Sequence, residues 1–309
     1  MTTMNAVRVA LLGLVAAAVV SAACAARAPR AAAPPAIPEV SSVADAVAEP
    51  PPSVPPPESL KIRPVTTSTL ESVETWDAGL GEALTTLAIA PSAGQHLRVA
   101  AEYKRLRIFD KALEHLTTAS TVEATRGAAL DELARLWRDA GHPSVGIGHA
   151  HRAVAHAPGA ATYNTLGTIL TALGWRDAAR DAFSRAVSLD PKAAYAWSNL
   201  CYMHFLDVEF DRAVEACTTA LTLDPALAAA RNNLALAHAG AGRLDRAADE
   251  FGRAGDVADG RYNMGLVYLA LRQFERAAEE FDAALKLRPS FDGAGLRARQ
   301  ARALADRRR

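Results

Sequence analysis

The residues of this sequence that can do chemistry are few and far apart. Three cysteines, Cys24, Cys201 and Cys217, stand in a chain of 309 residues. Three cannot build a disulfide framework, and their spacing matches no zinc pattern. His149, His151 and His156 lie close together, but on a helix they straddle different faces and so do not converge on a metal. No G-x-S-x-G, H-E-x-x-H, Walker or dinucleotide glycine pattern is present, and the glycines fall between helices or at helix contacts. The chain therefore reads as a non-enzyme with no cofactor and no metal, and its architecture has to say what it is for.

Composition bounds that architecture. Half of the residues are hydrophobic, enough for a sizeable core, and 34 basic residues balance 34 acidic ones. A net charge of zero offers no general attraction to nucleic acid, so no nucleic-acid partner is expected and any partner must be recognised locally. Aromatics are only 6% of a chain rich in Ala, a balance that suits closely packed helices and predicts an all-α fold.

The N-terminus has the plan of a bacterial export signal over residues 1–23. Arg8 precedes an apolar run from Val9 to Val20, then come Ser21, Ala22, Ala23 and Cys24. The run is shorter than the roughly 20 residues a membrane-spanning helix needs. Small residues directly before a cysteine resemble the lipobox of bacterial lipoproteins, although Ser21 holds the place where Leu, Val or Ile is usual. That resemblance implies a lipidated Cys24 and a periplasmic, lipid-anchored protein in the cell envelope. The other reading is ordinary signal cleavage and a soluble periplasmic or secreted protein.

Residues 24–64 contain eleven of the 17 prolines of the chain. So many fixed φ angles and missing donors exclude helix and sheet, leaving a spacer. At about 3.1 Å per residue it reaches on the order of 120 Å when extended. The first folded element is expected within 65–92, from Ser68, where Ser68 and Glu71 form a capping-box pattern ahead of Leu70, Val73, Trp76, Leu80, Leu84 and Leu87. It would cap the helices C-terminal to it.

From residue 93 to 291 the sequence repeats six times, with starts at Ala93, Gly127, Ala160, Ala194, Ala228 and Ala258. The first helices align Val99, Leu133, Leu166, Leu200, Leu234 and Met264, each followed by a small residue. The second helices align Ala112, Gly146, Ala179, Ala213, Ala247 and Ala277, and four residues later come Leu116, Ala150, Phe183, Cys217, Phe251 and Phe281. Small residues let paired backbones approach while large ones fill the remaining space. Two units depart from the pattern. The Ala228 unit is four residues short, so its second helix or following turn must be trimmed, and Pro143 and Gly146 weaken the start of a second helix in the Gly127 unit. Residues 292–309 complete the array as a C-terminal capping helix with a basic tail.

This pattern, from Ala93 to Pro289, resembles the tetratricopeptide repeat family. The resemblance implies a right-handed superhelical solenoid of six helix pairs with N- and C-terminal capping helices, and a protein or peptide partner. His204 and His238 stand where other units carry Tyr103 and Tyr268, which makes them packing residues. Asn199, Asn233 and Asn263 recur in register, resembling the asparagine ladder with which some members of the family hold a peptide backbone. Tyr195, Tyr202, Tyr262, Leu236 and Leu266 are expected to line the same face. Arg98, Glu132 and Thr165 hold the equivalent places upstream, which confines that face to the last three units. Cys201 and Cys217 lie on facing helices of one unit, either joined as a disulfide or filling the space as two buried thiols. Anchor, spacer and repeats together are the plan of a non-enzymatic scaffold tethered to the envelope by its lipid, assisting a pilus or secretion machine. The alternatives are an adaptor for cell-wall enzymes or polymers, and an enzyme with an uncharacterised active site on the helices.

Overall fold

The computed structural model describes residues 77–307. The export signal, Cys24, the proline-rich spacer and the Ser68–Glu71 capping pattern lie outside the described residues. Fourteen helices and, among the described residues, no strand make up the fold. It divides into two compact units, 77–189 and 190–307.

The first unit holds α1 (Ala78–Ile89), α2 (Ala93–Arg105), α3 (Phe109–Ser120), α4 (Glu123–Asp139), α5 (Pro143–His156), α6 (Ala160–Ala172) and α7 (Arg176–Leu189). Asp77 is extended, and its side chain accepts from the Leu80 N–H at 2.9 Å, which caps α1. Leu80 and Ala83 of α1 join Val99, Tyr103, Leu116, Leu130 and Leu133 in one core. The second unit holds α8 (Ala194–Leu206), α9 (Phe210–Leu223), α10 (Ala228–Gly240), α11 (Leu244–Arg253), α12 (Val257–Ala270), α13 (Phe274–Leu287) and α14 (Asp292–Asp306). Its last pair and α14 close over Phe274, Phe281, Ala298 and Ala301. Within each unit every helix packs on the next.

One turn is used six times. The second residue past each first helix has positive φ: Arg107 at 60°, Gly141 at 82°, Gly174 at 79°, Val208 at 65°, Gly242 at 79° and Arg272 at 60°. At the first, the Arg107 N–H donates to the Lys104 carbonyl at 3.0 Å and the Ile108 N–H to that of Tyr103 at 2.8 Å. Two such bonds satisfy the last carbonyls of a helix that ends on a left-handed residue. Glycine fits that conformation without strain, whereas the β-branched Val208 does not.

The small and large residues of the repeat meet as complements. A Cβ on Gly167 would lie 2.6 Å from the Phe183 ring, and one on Gly265 2.7 Å from that of Phe281. At the equivalent place the structure joins Cys201 and Cys217 by a disulfide, sixteen residues apart and with both residues fully buried. Of the two arrangements open to these cysteines, the fold adopts the covalent one.

Three expectations about the irregular units need correction. Gly127 does not start a unit: α4 begins at Glu123, and Gly127 lies inside it, where a Cβ would come within 2.5 Å of the Ala157 side chain. Pro143 does not weaken α5, because it occupies the first turn, where its missing N–H has no intrahelical partner to lose. Gly146 is buried against the Ala134 carbonyl, 2.9 Å from a notional Cβ, so close helix approach selects it. In the short unit it is the second helix that is trimmed: α11 has 10 residues where α9 and α13 have 14. Gly260 of α12 then lies against the Phe251 carbonyl, with 2.7 Å to a notional Cβ.

Candidate partner-binding face

First helices α8, α10 and α12 carry the asparagines. A first helix of this array turns one side to its own second helix and another to the neighbouring pair, leaving a strip for polar residues. Asn199, Asn233 and Asn263 fall on that strip and are all half-buried. Asn233 donates through Nδ2 to the Ser198 carbonyl of α8 at 3.1 Å. Asn263 reaches the Oδ1 of Asn232 on α10 at 3.5 Å, the long limit of a hydrogen bond. Side-by-side packing joins α8 to α10, while α10 and α12 barely touch through their backbones. The trimmed α11 accompanies that separation, and the Asn232–Asn263 contact bridges it.

The apolar residues expected on this face divide into two groups. Tyr195 is 41% exposed and Tyr202 is half-buried, its ring 6.3 Å from Phe205. These two stand beside the asparagines. Leu236 is only 1% exposed and Leu266 7%, so both belong to the core and offer no anchor to a partner. Tyr262 is half-buried, with Phe281 and Phe291 at 5.4 and 4.9 Å between ring centroids, so its ring packs within the C-terminal helices. The reason is periodicity: at 100° per residue, a position three after an asparagine lies near the boundary between strip and core, and local packing decides its side.

Asn232, Arg231 and Arg261 were absent from the expected site. Arg231 pairs with Glu250 at 3.0 Å and Arg261 with Glu280 at 3.1 Å, the same bridge from first to second helix in successive units. Their common spacing was present in the sequence as a signal. In the first unit the equivalent register is occupied internally. Glu132 pairs with Lys104 and Arg135, buried Thr165 accepts from Arg135 Nε at 3.1 Å, and Arg98 lies 3.9 Å from Glu82.

The titrating groups are structural in their surroundings. Burial pushes the Asp131 carboxyl up, while Arg135 holds its Oδ2 at 2.9 Å. His238 is buried, which pulls its imidazole down, and its Nδ1 accepts from Arg243 Nε at 3.1 Å. His204 meets Glu209 at 2.7 Å, and that contact lowers the Glu209 carboxyl. Each of these histidines thus ties a first helix to the turn that comes after it. Among the described residues no group of three or more His, Cys, Asp or Glu side chains is placed to hold a metal ion, and no helix is long and apolar enough to cross a membrane.

Comparison with known proteins agrees with the geometry. Tetratricopeptide repeat models match residues 164–228, 209–260 and 258–291. No curated protein matches the chain. Among solved structures, the APC/C hetero-tetramer Cut9-Hcn1 is similar with a TM-score of 0.61 at 19% identity, over 79% of this chain and 49% of that one. This chain therefore spans about half the length of that relative. TTC0263, a thermophilic TPR protein in Thermus thermophilus, matches at 17% identity over 57% of this chain and 98% of its own, with a TM-score of 0.49. The MamA protein matches at 24% identity over 52% and 89%, with a TM-score of 0.44. With repeats located by sequence models over residues 164–291, helix pairs closed by one recurrent turn, and an all-α likeness in a solved structure, the chain carries tetratricopeptide repeats and has the build of a protein-interaction scaffold.

Proposed function

We propose that this scaffold works in the bacterial envelope, lipid-anchored at Cys24 on the periplasmic side, and assists assembly of an envelope machine by holding an extended peptide or helix of a partner. The Cys201–Cys217 disulfide is the observation that carries this reading. Disulfides persist in oxidising compartments such as the periplasm and are rare in the cytosol. The signal-like N-terminus ending at Cys24 supports the same placement, and the proline-rich spacer lets the repeats stand clear of the membrane. Partner contact is assigned to the strip of Tyr195, Asn199, Tyr202, Asn233 and Asn263. Carboxamides offer donor and acceptor together and so satisfy a backbone of any sequence.

Two measurements test this. Cys24→Ser should move the protein from the membrane to the soluble periplasmic fraction and end fatty-acid labelling; a variant that stays membrane-bound, with no lipid on the wild type, removes the anchor from the reading. A photo-cross-linker at exposed Tyr195 should capture the partner in cells. Replacing Asn199, Asn233 and Asn263 together by Ala should abolish that adduct with helical content retained. An undiminished adduct would place binding elsewhere on the scaffold.

A further inference from the structure

The last two helix pairs of the array are closed by the same bond at the same place. Arg231 of α10 meets Glu250 of α11, and Arg261 of α12 meets Glu280 of α13, each across 19 residues. In the first pair that place holds His96 of α2 and His115 of α3, again 19 apart, and their Nδ1 atoms lie 2.8 Å from each other. The three pairs between carry Leu130 with His149, Tyr163 with Ala182 and Trp197 with Ala216 at this spacing. Where two units use an ion pair, the first therefore uses two imidazoles.

The geometry is that of a shared proton. The ring centres are 5.0 Å apart, close to the largest separation that a 2.8 Å contact between the nitrogens permits, so the two nitrogens face each other nearly in line. One Nδ1–H then donates and the other Nδ1 accepts, and the pair does not converge on a third atom as metal ligands must. Both residues are half-buried, and the His115 ring stacks on the core residue Tyr103 with 5.6 Å between centroids. A first added proton can sit on the outer Nε2 of the donor ring and leave the bond in place. A second puts N–H on both facing nitrogens and sets two cations in contact.

Other charges do little to relieve that contact. On α3, Glu114 and Lys111 act on His115 in opposite directions and pair with each other at 2.9 Å. The charged groups that α1 and α4 turn to these helices are already taken: Glu82 lies by Arg98, Asp77 by Arg105, Glu132 by Lys104 and Arg126 by Glu123. Burial, and after it the charge of His96, pull the His115 imidazole below its ordinary value of 6.5. An opened pair therefore takes up protons first, so this part of the closure is complete above about pH 6.5 and is lost as the pH falls below it.

We propose that His96–His115 is an acid-sensitive latch, which holds α2 on α3 while at most one ring is charged and lets the two helices loosen when both take a proton. Arginine–carboxylate pairs keep their charges through the histidine range, so the pairs closed by Arg231 and Arg261 lack this response. The inference is independent of the partner assigned to α8, α10 and α12, because it concerns a different unit and different residues.

The test is hydrogen exchange of the full chain at about pH 7 and about pH 5, resolved by helix and corrected for the intrinsic pH dependence of exchange. Opening of α2 and α3 should rise roughly tenfold at the lower pH, while α12 and α13, which contain no histidine, should change little. His96→Gln with His115→Gln removes the titration and should abolish the rise. His96→Arg with His115→Glu installs the pair used by α10 and α11 and should abolish it too. An unchanged wild type, an equal rise in α12 and α13, or a rise that persists in either variant with wild-type helical content would each overturn the latch.

Discussion

The two units are built on one repeat but tie their helix pairs together by different means. In residues 77–189 the first helices are laced by charged side chains: Lys104 to Glu132, Arg135 to Thr165, and Arg138 to Thr168 at 2.7 Å. In residues 190–307 the corresponding positions are amides, and the strongest tie is the disulfide at the centre of the α8–α9 pair. An amide strip with a covalent bond beneath it presents uncharged side chains, and stability there rests on the buried disulfide.

Removing the disulfide should break this contrast most. Cys201→Ala with Cys217→Ala, or reduction, should destabilise residues 190–307 by roughly 3 kcal/mol on the chain-entropy account of a loop of this size, and leave 77–189 unchanged. Hydrogen exchange resolved by unit checks it, and equal loss in both units would show that the bond does not act locally. Next comes the shared close-contact position. Leu at Ala213 or Ala277, both fully buried, should cost about 1–3 kcal/mol by overpacking. At Gly146 even Ala should destabilise, by about 1 kcal/mol, because the Ala134 carbonyl occupies that space; thermal melts of the three variants rank them.

The turns offer a smaller effect of opposite sign. Val208→Gly should stabilise by about 1 kcal/mol, since a left-handed β-branched residue is strained. A turn that already has glycine allows only the reverse change, so Gly141→Val serves as the mirror and should lose a similar amount. A chemical-denaturation midpoint that does not move for Val208→Gly would mean that neighbouring packing favours the valine. Smallest is Glu132→Gln, which should cost about 0.5 kcal/mol and lose its effect in high salt, as a partly exposed ion pair does. An effect persisting at about 1 M salt would show that Lys104–Glu132 acts through packing.

The repeat was legible because helical periodicity and small-residue spacing recur over six units, and the structure places Ala112, Ala179, Ala213, Ala247 and Ala277 fully buried in accordance with that register. Two marks misled. Pro143 and Gly146 look like helix breakers one at a time, but the first stands in the initial turn and the second under a neighbouring carbonyl, and only their neighbours reveal that. The asparagine strip was partly legible. Asn199, Asn233 and Asn263 share one helical face by spacing alone, whereas Leu236, Leu266 and Tyr262 lie close enough to the edge of that face for packing to turn them inward.

By itself the sequence determined the number of helix pairs, their period, the shortened fifth unit and the pairing of a small with a large residue inside each pair, because these depend on side-chain size and 3.6-residue periodicity. Tertiary structure decided what depends on distance between segments remote in the chain: that Cys201 and Cys217 bond, that Asn233 reaches Ser198, and that Glu132 is taken by Lys104. A local pattern states which face of a helix a residue occupies. Only the packed neighbours determine whether that face meets solvent, a core or another side chain.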